Sequence, residues 1–287
     1  MSGLKSPGPR TFLVLGRVSN LPTVWSNCLC GWLLGGGGSE LTLLLLVLGA
    51  SLVYVGGMYL NDAFDAAFDR QHRRERPIPS GAIPEKLVWE VGLALLGGGA
   101  LPLVWLGWDT ALCTLLLVGA VLLYDAVHKA VAFSPVIMAS CRLLLLLTAA
   151  SAGEAGITGL AAWSSVALAG WVIGLSYVAR REAVRGPMAL WPLVLLALPE
   201  FLALLVNNGG LRLRGIVLSG VLAAWTALCL RHLFGRGQPN VGRTVSGLLA
   251  GICLVDLLAA PPDPAVFPVF LFCFVAALLG QRFVPAT

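Results

Sequence analysis

Ten apolar stretches of about 20 residues follow one another along this chain, separated by short polar breaks. A stretch of that length crosses the hydrocarbon core of a bilayer as a helix. Inside hydrocarbon every backbone polar group needs a partner within the protein, and solid apolar runs fit helices, whereas a barrel would show alternation. The stretches are residues 17–37, 40–62, 86–106, 109–128, 134–154, 157–179, 187–206, 212–233, 242–260 and 264–283.

The composition agrees with a membrane protein. Hydrophobic residues make up 58% of the 287 residues and charged residues 11%, against about 25% charged residues in soluble proteins. We therefore predict an all-α, polytopic integral membrane bundle of nine or ten transmembrane helices. It would form a single domain over residues 1–287, with a short cytoplasmic N-terminal segment at residues 1–16.

Basic residues orient the predicted bundle. If the N-terminus is cytoplasmic, sixteen of the nineteen Lys and Arg residues fall on the cytoplasmic side, as the positive-inside rule expects. Arg212 and Arg214 lie opposite, and Arg142 lies within a span. We expect an integral protein of a bacterial inner or plasma membrane with its polar loops in the cytoplasm. The net charge of +5 indicates attraction to anionic headgroups or phosphates and not to nucleic acid, because there is no soluble basic domain.

An acidic cluster, Asn61, Asp62, Asp65 and Asp69, stands at the end of the second apolar stretch. A charge at the bilayer centre costs roughly 2.5–3.5 kcal/mol, so such groups are usually functional. On a helix the three carboxylates fall within about 60° of one another. One such face can bind a hard cation, and Mg²⁺ held by carboxylates usually also binds a substrate phosphate. A purely structural set of salt bridges is the alternative.

A basic loop, residues 70–81, follows the acidic cluster directly. It is either an ordinary positive-inside loop ended by prolines, or a set of arginines that binds diphosphate oxygens beside the metal. The second interpretation joins the cluster, the loop and an apolar cavity that accepts the chain carried by the diphosphate.

The motifs resemble one known family. Asn-Asp-x-x-Asp-x-x-x-Asp at residues 61–69, followed by Arg-Pro-Ile-x-Ser-Gly at 76–81, resembles the UbiA superfamily of intramembrane aromatic prenyltransferases. Residues 17–23 and 124–129 are similar to two further segments of that family, and the resemblance covers roughly residues 12–180. Tyr-Asp-Ala-Val-His-Lys at 124–129 and the arginine-rich end of the sixth helix resemble a UbiA-like subgroup found in the bacterial ebo gene cluster.

The resemblance implies roles for individual residues. Asp62, Asp65 and Asp69 would bind Mg²⁺ bridged to a prenyl diphosphate, and these aspartates with Lys129 form the catalytic set. Glu182 is a further candidate metal ligand. The diphosphate-binding candidates are Asn61, Arg73, Arg76, Lys129, Arg142, Arg180 and Arg181, and those on the acceptor side are Asn20, Tyr124 and Asp125.

The chain departs from the family near the end of the sixth apolar stretch. The family carries a second Asp-x-x-x-Asp there, whereas residues 177–185 contain one carboxylate and three arginines. This segment is an ordinary cytoplasmic loop, or Arg180 and Arg181 replace part of a second metal's charge and leave one strong metal site. The alternative is that the second site is lost together with catalysis.

Three charged residues within apolar stretches leave alternatives open. Arg142 either pairs with Asp125 or reaches the diphosphate region. Asp125 stands where the family has Ser or Thr, and it either serves as a base for the acceptor or pairs with Lys129. Asp256 has no partner visible in the sequence.

The function that these patterns favour is Mg²⁺-dependent transfer of a prenyl group from an isoprenyl diphosphate to an unidentified aromatic or hydroxylated acceptor, a small molecule or a lipid in the bilayer. A non-catalytic carrier or transport component for an isoprenoid or lipid phosphate is the alternative, supported by the broken second motif. An ion-coupled transporter fits less well, because its carboxylates usually lie near the midplane in broken helices.

Overall fold

The structure is a computed structural model, and it describes residues 8–180, 190–234 and 239–284. Within these ranges the chain forms helices joined by turns and contains no strand. The helices are α1 (Pro9–Leu15), α2 (Leu21–Leu34), α3 (Glu40–His72), α4 (Glu85–Trp105), α5 (Trp108–Val127), α6 (Ser134–Ser151), α7 (Gly159–Arg180), α8 (Leu198–Val206), α9 (Arg212–Phe234), α10 (Val241–Ala259) and α11 (Phe267–Gly280). A 3₁₀ turn, Val18–Asn20, precedes α2, and a second 3₁₀ segment, Trp191–Ala197, precedes α8.

Each predicted apolar stretch overlaps one of the helices α2 to α11, which confirms the all-α membrane class. Seven helical segments among the described residues are long and apolar enough to cross a membrane: Glu40–His72, Glu85–Trp105, Trp108–Val127, Ser134–Ser151, Gly159–Arg180, Gly209–Phe234 and Val241–Ala259. Two shorter apolar segments are Trp191–Val206 and Phe267–Gly280, and α2 has 14 residues. The count of nine or ten crossings therefore stays a prediction.

Helix α2 lies at the centre of the bundle, where it packs against α3, α6, α10 and α11. Small buried residues such as Cys28 and Gly31 allow this: a Cβ at Gly31 would lie 2.5 Å from the backbone oxygen of Leu146 in α6. Because α2 contacts so many helices, its few polar side chains can link parts of the chain that are far apart in sequence.

Helices α3 and α4 pack closely along two pairs of glycines. A Cβ on Gly99 would lie 2.5 Å from the Gly49 carbonyl oxygen, and one on Gly56 would lie 2.8 Å from the Gly92 carbonyl oxygen. Small residues let membrane helices approach in this way, and the association then comes from van der Waals packing. The contact fixes the rotation of α3, and with it the direction in which the polar end of α3 points.

Helix α3 continues for ten residues beyond the predicted apolar stretch that ends at residue 62. It runs without a break to His72, so the acidic cluster lies on the last turns of one long helix. The helix continues through the carboxylates. They occupy one face of it, and that face is buried in the bundle.

The glycine contact leads to a stability prediction. Gly99→Ala is expected to lower the thermal unfolding temperature in detergent, because overpacking a well-packed contact costs about 1–3 kcal/mol. Gly97→Ala on the same helix is the matched control, since nothing lies within 4 Å of a Cβ added there. Equal unfolding temperatures for the two variants would show that the α3–α4 contact tolerates a Cβ.

Candidate functional site

The acidic cluster of α3 forms one buried face, as its helical spacing predicts. Asp62, Asp65 and Asp69 are 5%, 8% and 2% exposed, whereas Phe64 and Phe68 on the same turns are 40% and 41% exposed. The carboxylates therefore point into the bundle and the two phenylalanines point away from it.

Asp62 lies between two guanidinium groups. Its Oδ1 accepts hydrogen bonds from Arg17 Nη2 and Arg76 Nη1, both at 3.1 Å. Arg17 Nη2 also donates to Asn61 Oδ1 at 3.2 Å, and Arg17 Nη1 donates to the sulfur of Met58 at 3.2 Å. Two arginines thus share one carboxylate oxygen, Asp62 Oδ1.

Asp65 is paired with the turn that follows α5. Lys129 Nζ lies 2.7 Å from Asp65 Oδ1, and His128 Nε2 lies 3.4 Å from the same oxygen. The Lys129 ammonium also lies 3.9 Å from the centre of the Phe68 ring, in a cation–π contact. Burial lowers the pKa of His128, but the hydrogen bond to Asp65, the charge of Asp65 and the backbone oxygens of Tyr124 and Asp125 together outweigh burial, so the pKa of His128 is raised.

Asp69 has a different environment. Its Oδ1 is buried and makes no hydrogen bond to any residue in the described ranges. Buried polar atoms are nearly always satisfied, so this carboxylate oxygen is available to a ligand. Asp69 Oδ1 thus differs from the Oδ1 atoms of Asp62 and Asp65, each of which contacts a cation.

Asp125 is bound to Asn61 and not to Lys129. Asn61 Nδ2 donates to Asp125 Oδ1 at 3.0 Å, and Asp125 Oδ2 is buried without a hydrogen-bond partner in the described residues. Of the two alternatives for Asp125, the pairing with Lys129 is not formed, and a role as base for the acceptor stays a prediction. Helix α5 ends at Val127, and the chain then turns, which carries Lys129 away from Asp125 and towards Asp65.

Arg142 lies in a separate polar network. It donates to Thr23 O at 3.2 Å, to Thr23 Oγ1 at 2.9 Å and to Asn27 Oδ1 at 2.8 Å. The expected Arg142–Asp125 pair is not formed, because α2 packs directly against α6 and its polar side chains take up the guanidinium. The contacts of Arg142 do not include the acidic face of α3.

The remaining basic candidates lie around the turn after α5 or at the end of α3. Arg180 donates to the backbone oxygen of Ala132, three residues after Lys129. Arg73 is exposed and directly follows α3. Arg181 and Glu182 lie outside the described residues, so their predicted roles stay predictions.

The two other acceptor-side candidates are on the same side of the bundle as the acidic face. Tyr124 stacks on His128, with ring centres 4.9 Å apart. Asn20 is buried at the start of α2, where its Oδ1 accepts a hydrogen bond from Gln281 at 3.4 Å. Tyr124 is thus one contact from Asp65, and Asn20 is three residues from Arg17.

Arg17 and His128 are site residues that sequence reasoning did not assign. Both belong to segments that resemble the family, residues 17–23 and 124–129, but the sequence indicates for Arg17 only a place on the cytoplasmic side of the membrane. Its backbone is left-handed (φ 42°, ψ 46°), which no other non-glycine residue in the described ranges shares. Such a conformation costs roughly 1–2 kcal/mol and is often kept at functional sites. Its partner Asp62 is 45 positions away, so the sequence held no local signal of the pairing.

The residues present fit a magnesium ion bound together with a phosphate. Among the described residues no three acidic, His or Cys side chains converge into a ready-made cage. Mg²⁺ is commonly held by one or two carboxylates plus substrate phosphates. The unpaired Asp69 Oδ1 beside Asp62 and Asp65 supplies carboxylate oxygens of that kind.

Known proteins resemble this chain in part of the sequence and in the fold. Digeranylgeranylglyceryl phosphate synthase of Methanoregula boonei is 37% identical over 92 residues, or 31% of this chain and 33% of that protein. The chain thus spans about a third of the length of this curated relative. A UbiA homologue from Aeropyrum pernix K1 superposes with a TM-score of 0.66 at 18% identity, covering 85% of this chain and 97% of that one. A UbiA homologue from Archaeoglobus fulgidus bound to GPP and Mg²⁺ has a TM-score of 0.65 at 15% identity, covering 94% and 99%.

The family assignment follows from the extent of one match. The model of the UbiA prenyltransferase family matches residues 20–240. That range holds the acidic face of α3, the basic loop after it and Lys129. The two solved structures have the same fold over most of their length. The chain belongs to the UbiA prenyltransferase family.

Proposed function

We propose that this protein transfers a prenyl group from an isoprenyl diphosphate to a hydroxyl-bearing acceptor in the membrane, and that the reaction depends on Mg²⁺. One observation carries the proposal. The acidic face of α3 is lined by cations suited to a diphosphate, and one of its carboxylate oxygens, Asp69 Oδ1, is buried without a partner in the described chain.

The ion pairs of the site support binding of metal and diphosphate together. Arg17 and Arg76 are paired with Asp62, and Lys129 is paired with Asp65. A magnesium diphosphate brings both signs of charge, so the carboxylates can hold the metal while the arginines and the lysine hold phosphate oxygens. No buried charge is left without a partner in this exchange, which keeps the desolvation cost low.

The chemistry requires that negative charge be stabilised on a leaving group. The bond between C1 of the prenyl group and the diphosphate oxygen breaks, and both electrons leave with the diphosphate. The acceptor oxygen bonds to C1, and the proton of its hydroxyl group passes to the released diphosphate. Arg17, Arg76 and Lys129 are fixed donors for the departing diphosphate, and such preorganised charge lowers the barrier. A bound Mg²⁺ neutralises phosphate charge.

The apolar bundle has its own part in the reaction. A prenyl cation would react with water, and a dry cavity prevents that side reaction. The acidic face is buried among helices whose other surfaces are apolar, so the reacting carbon would lie away from bulk solvent. The acceptor would then approach from the side of Asn20, Tyr124 and Asp125.

The acceptor that we favour is a glyceryl phosphate lipid. The curated relative is named for a digeranylgeranylglyceryl phosphate product, which supports an aliphatic hydroxyl over the aromatic acceptor that the superfamily resemblance suggested. GPP bound with Mg²⁺ in the Archaeoglobus fulgidus homologue supports an isoprenyl diphosphate as donor. Membership of the subgroup found in the ebo gene cluster stays a prediction.

We further propose that residues 1–287 form one membrane domain with residues 1–16 as a short cytoplasmic segment. Its site would open towards the cytoplasm, because the basic residues around the acidic face follow the positive-inside rule.

A non-catalytic carrier of an isoprenoid or lipid phosphate is the second candidate. Residues 177–185 lack the second aspartate pair of the family, and a carrier needs phosphate affinity without turnover. Diphosphate binding with no turnover over a broad panel of acceptors would favour it.

Substitution of the unpaired carboxylate tests the enzyme. Asp69→Asn is expected to lower Mg²⁺-dependent release of diphosphate from labelled geranylgeranyl diphosphate by about 100-fold or more, since loss of one stabilising group typically costs that much. Asp109→Asn, the same change at an exposed position in the first turn of α5, is the matched control and should retain full activity. Full activity of Asp69→Asn would show that the Asp69 carboxylate is not needed for the reaction.

The replaced second motif predicts the metal stoichiometry. In the presence of inorganic diphosphate, calorimetric titration should find one strong Mg²⁺ site per chain, because a single carboxylate face is available and residues 177–185 carry mostly positive charge. Asp62→Asn should weaken that site. Two strong sites of equal affinity would contradict the prediction.

A further inference from the structure

A second buried polar network crosses the middle of the bundle, and the proposed chemistry does not use it. Asp256 of α10 is 1% exposed. It accepts hydrogen bonds from Ser26 Oγ at 2.5 Å and from Asn27 Nδ2 at 2.7 Å and 2.9 Å. These donors belong to α2, so the carboxylate that had no partner in the sequence is bound to the central helix.

Asn27 connects this carboxylate to a buried cation. Its Oδ1 accepts from Arg142 Nη1 at 2.8 Å while its Nδ2 donates to Asp256. A side-chain amide can accept from a guanidinium and donate to a carboxylate at the same time. The network thus places opposite charges on α6 and α10 with α2 between them, and each charge compensates the other in the membrane interior.

Arg142 also holds the first turn of α2. Its two terminal nitrogens donate to Thr23 O at 3.2 Å and to Thr23 Oγ1 at 2.9 Å. Thr23 Oγ1 in turn donates to the backbone oxygen of Asn20 at 2.7 Å. The planar guanidinium therefore connects α6 to the end of the 3₁₀ turn Val18–Asn20.

That turn carries Arg17 into the acidic site. Asn20 N donates to Arg17 O at 3.0 Å, and Tyr54 OH donates to the same oxygen at 3.4 Å. The backbone of Arg17 is left-handed and persists only where its surroundings hold it. Arg17 Nη2 lies 3.1 Å from Asp62 Oδ1, so any relaxation of the turn moves a cation away from the acidic face.

We propose that the Asp256–Asn27–Arg142 network is a positioning device that holds Arg17 in place for the diphosphate. Arg142 and Asp256 are positioning residues in this assignment, because they act on the site through α2 and Arg17. The inference rests on the proposed function, in that it takes Arg17 as a diphosphate ligand.

A double-mutant cycle tests it on the purified full chain in detergent. Binding of inorganic diphosphate in the presence of Mg²⁺ is measured for the wild type, for Arg142→Met, Arg17→Met and Arg76→Met, and for the two double variants that combine Arg142→Met with either of the others. Arg142→Met should weaken binding about tenfold, or about 1.4 kcal/mol. In the Arg17→Met background, Arg142→Met should weaken diphosphate binding less than about twofold. In the Arg76→Met background, it should weaken binding by the full factor of about ten. An equal loss in the Arg17→Met background would overturn the proposal.

Two further variants keep the test decisive. Arg142→Lys retains the buried charge but lacks the planar fork that joins Asn27 to Thr23, and it should show the same dependence on Arg17. Arg214→Met is the matched control, since Arg214 donates to the backbone oxygens of Leu257 and Ala260 at the end of α10. It should bind diphosphate like the wild type; a loss equal to that of Arg142→Met would show a general packing effect and refute the assignment.

Hydrogen exchange gives a readout that does not depend on ligand. In Arg142→Met or Arg142→Lys, backbone amides of residues 17–23 should exchange faster while those of α9 stay unchanged. Unchanged exchange at residues 17–23, or faster exchange throughout, would contradict positioning. A wild-type protein without Mg²⁺-dependent diphosphate binding would instead refute the proposed function, whereas normal binding with no effect of Arg142 refutes only this inference.

Discussion

Pairing of opposite charges inside an apolar bundle is the constraint on which the rest of this structure depends. The carboxylates of α3 are buried, and Asp62 and Asp65 each have cations within hydrogen-bonding distance. An isolated ion in hydrocarbon is costly, so the turn before α2, the loop after α3 and the turn after α5 have to meet at this face. Arg17, Arg76 and Lys129 offset the charge of the buried carboxylates, and the same three side chains would bind the oxygens of a magnesium diphosphate.

Helix α2 connects this face to the rest of the bundle. It is short and rich in small residues, and it lies between α3, α6, α10 and α11. Its first turns hold the hydrogen bonds to Arg142 and Asp256, and the 3₁₀ turn before it holds Arg17. A stable core and a charged site are thereby coupled through a few residues at one end of one helix.

Sequence reasoning was accurate where the signal was local. The apolar runs predicted where helices α2 to α11 lie, to within a few residues at most boundaries. The spacing of Asp62, Asp65 and Asp69 predicted their shared face, because helical geometry alone determines it. Sequence reasoning did not decide between the two alternatives for Asp125. The pairing with Lys129 is not formed, since the end of α5 at Val127 separates two residues that a continued helix would have placed together.

The sequence by itself determined the membrane class, the helices and the one-sided acidic face, since hydrophobic length and helical periodicity are properties of short segments. Only the tertiary structure decided which polar and charged side chains meet. Arg17 and Asp62 are 45 positions apart, and Asn27 and Asp256 are 229 apart. Nothing in either segment specifies its partner, because the pairing follows from how α2 packs between α3, α6 and α10, which brings the polar side chains of these helices within hydrogen-bonding distance.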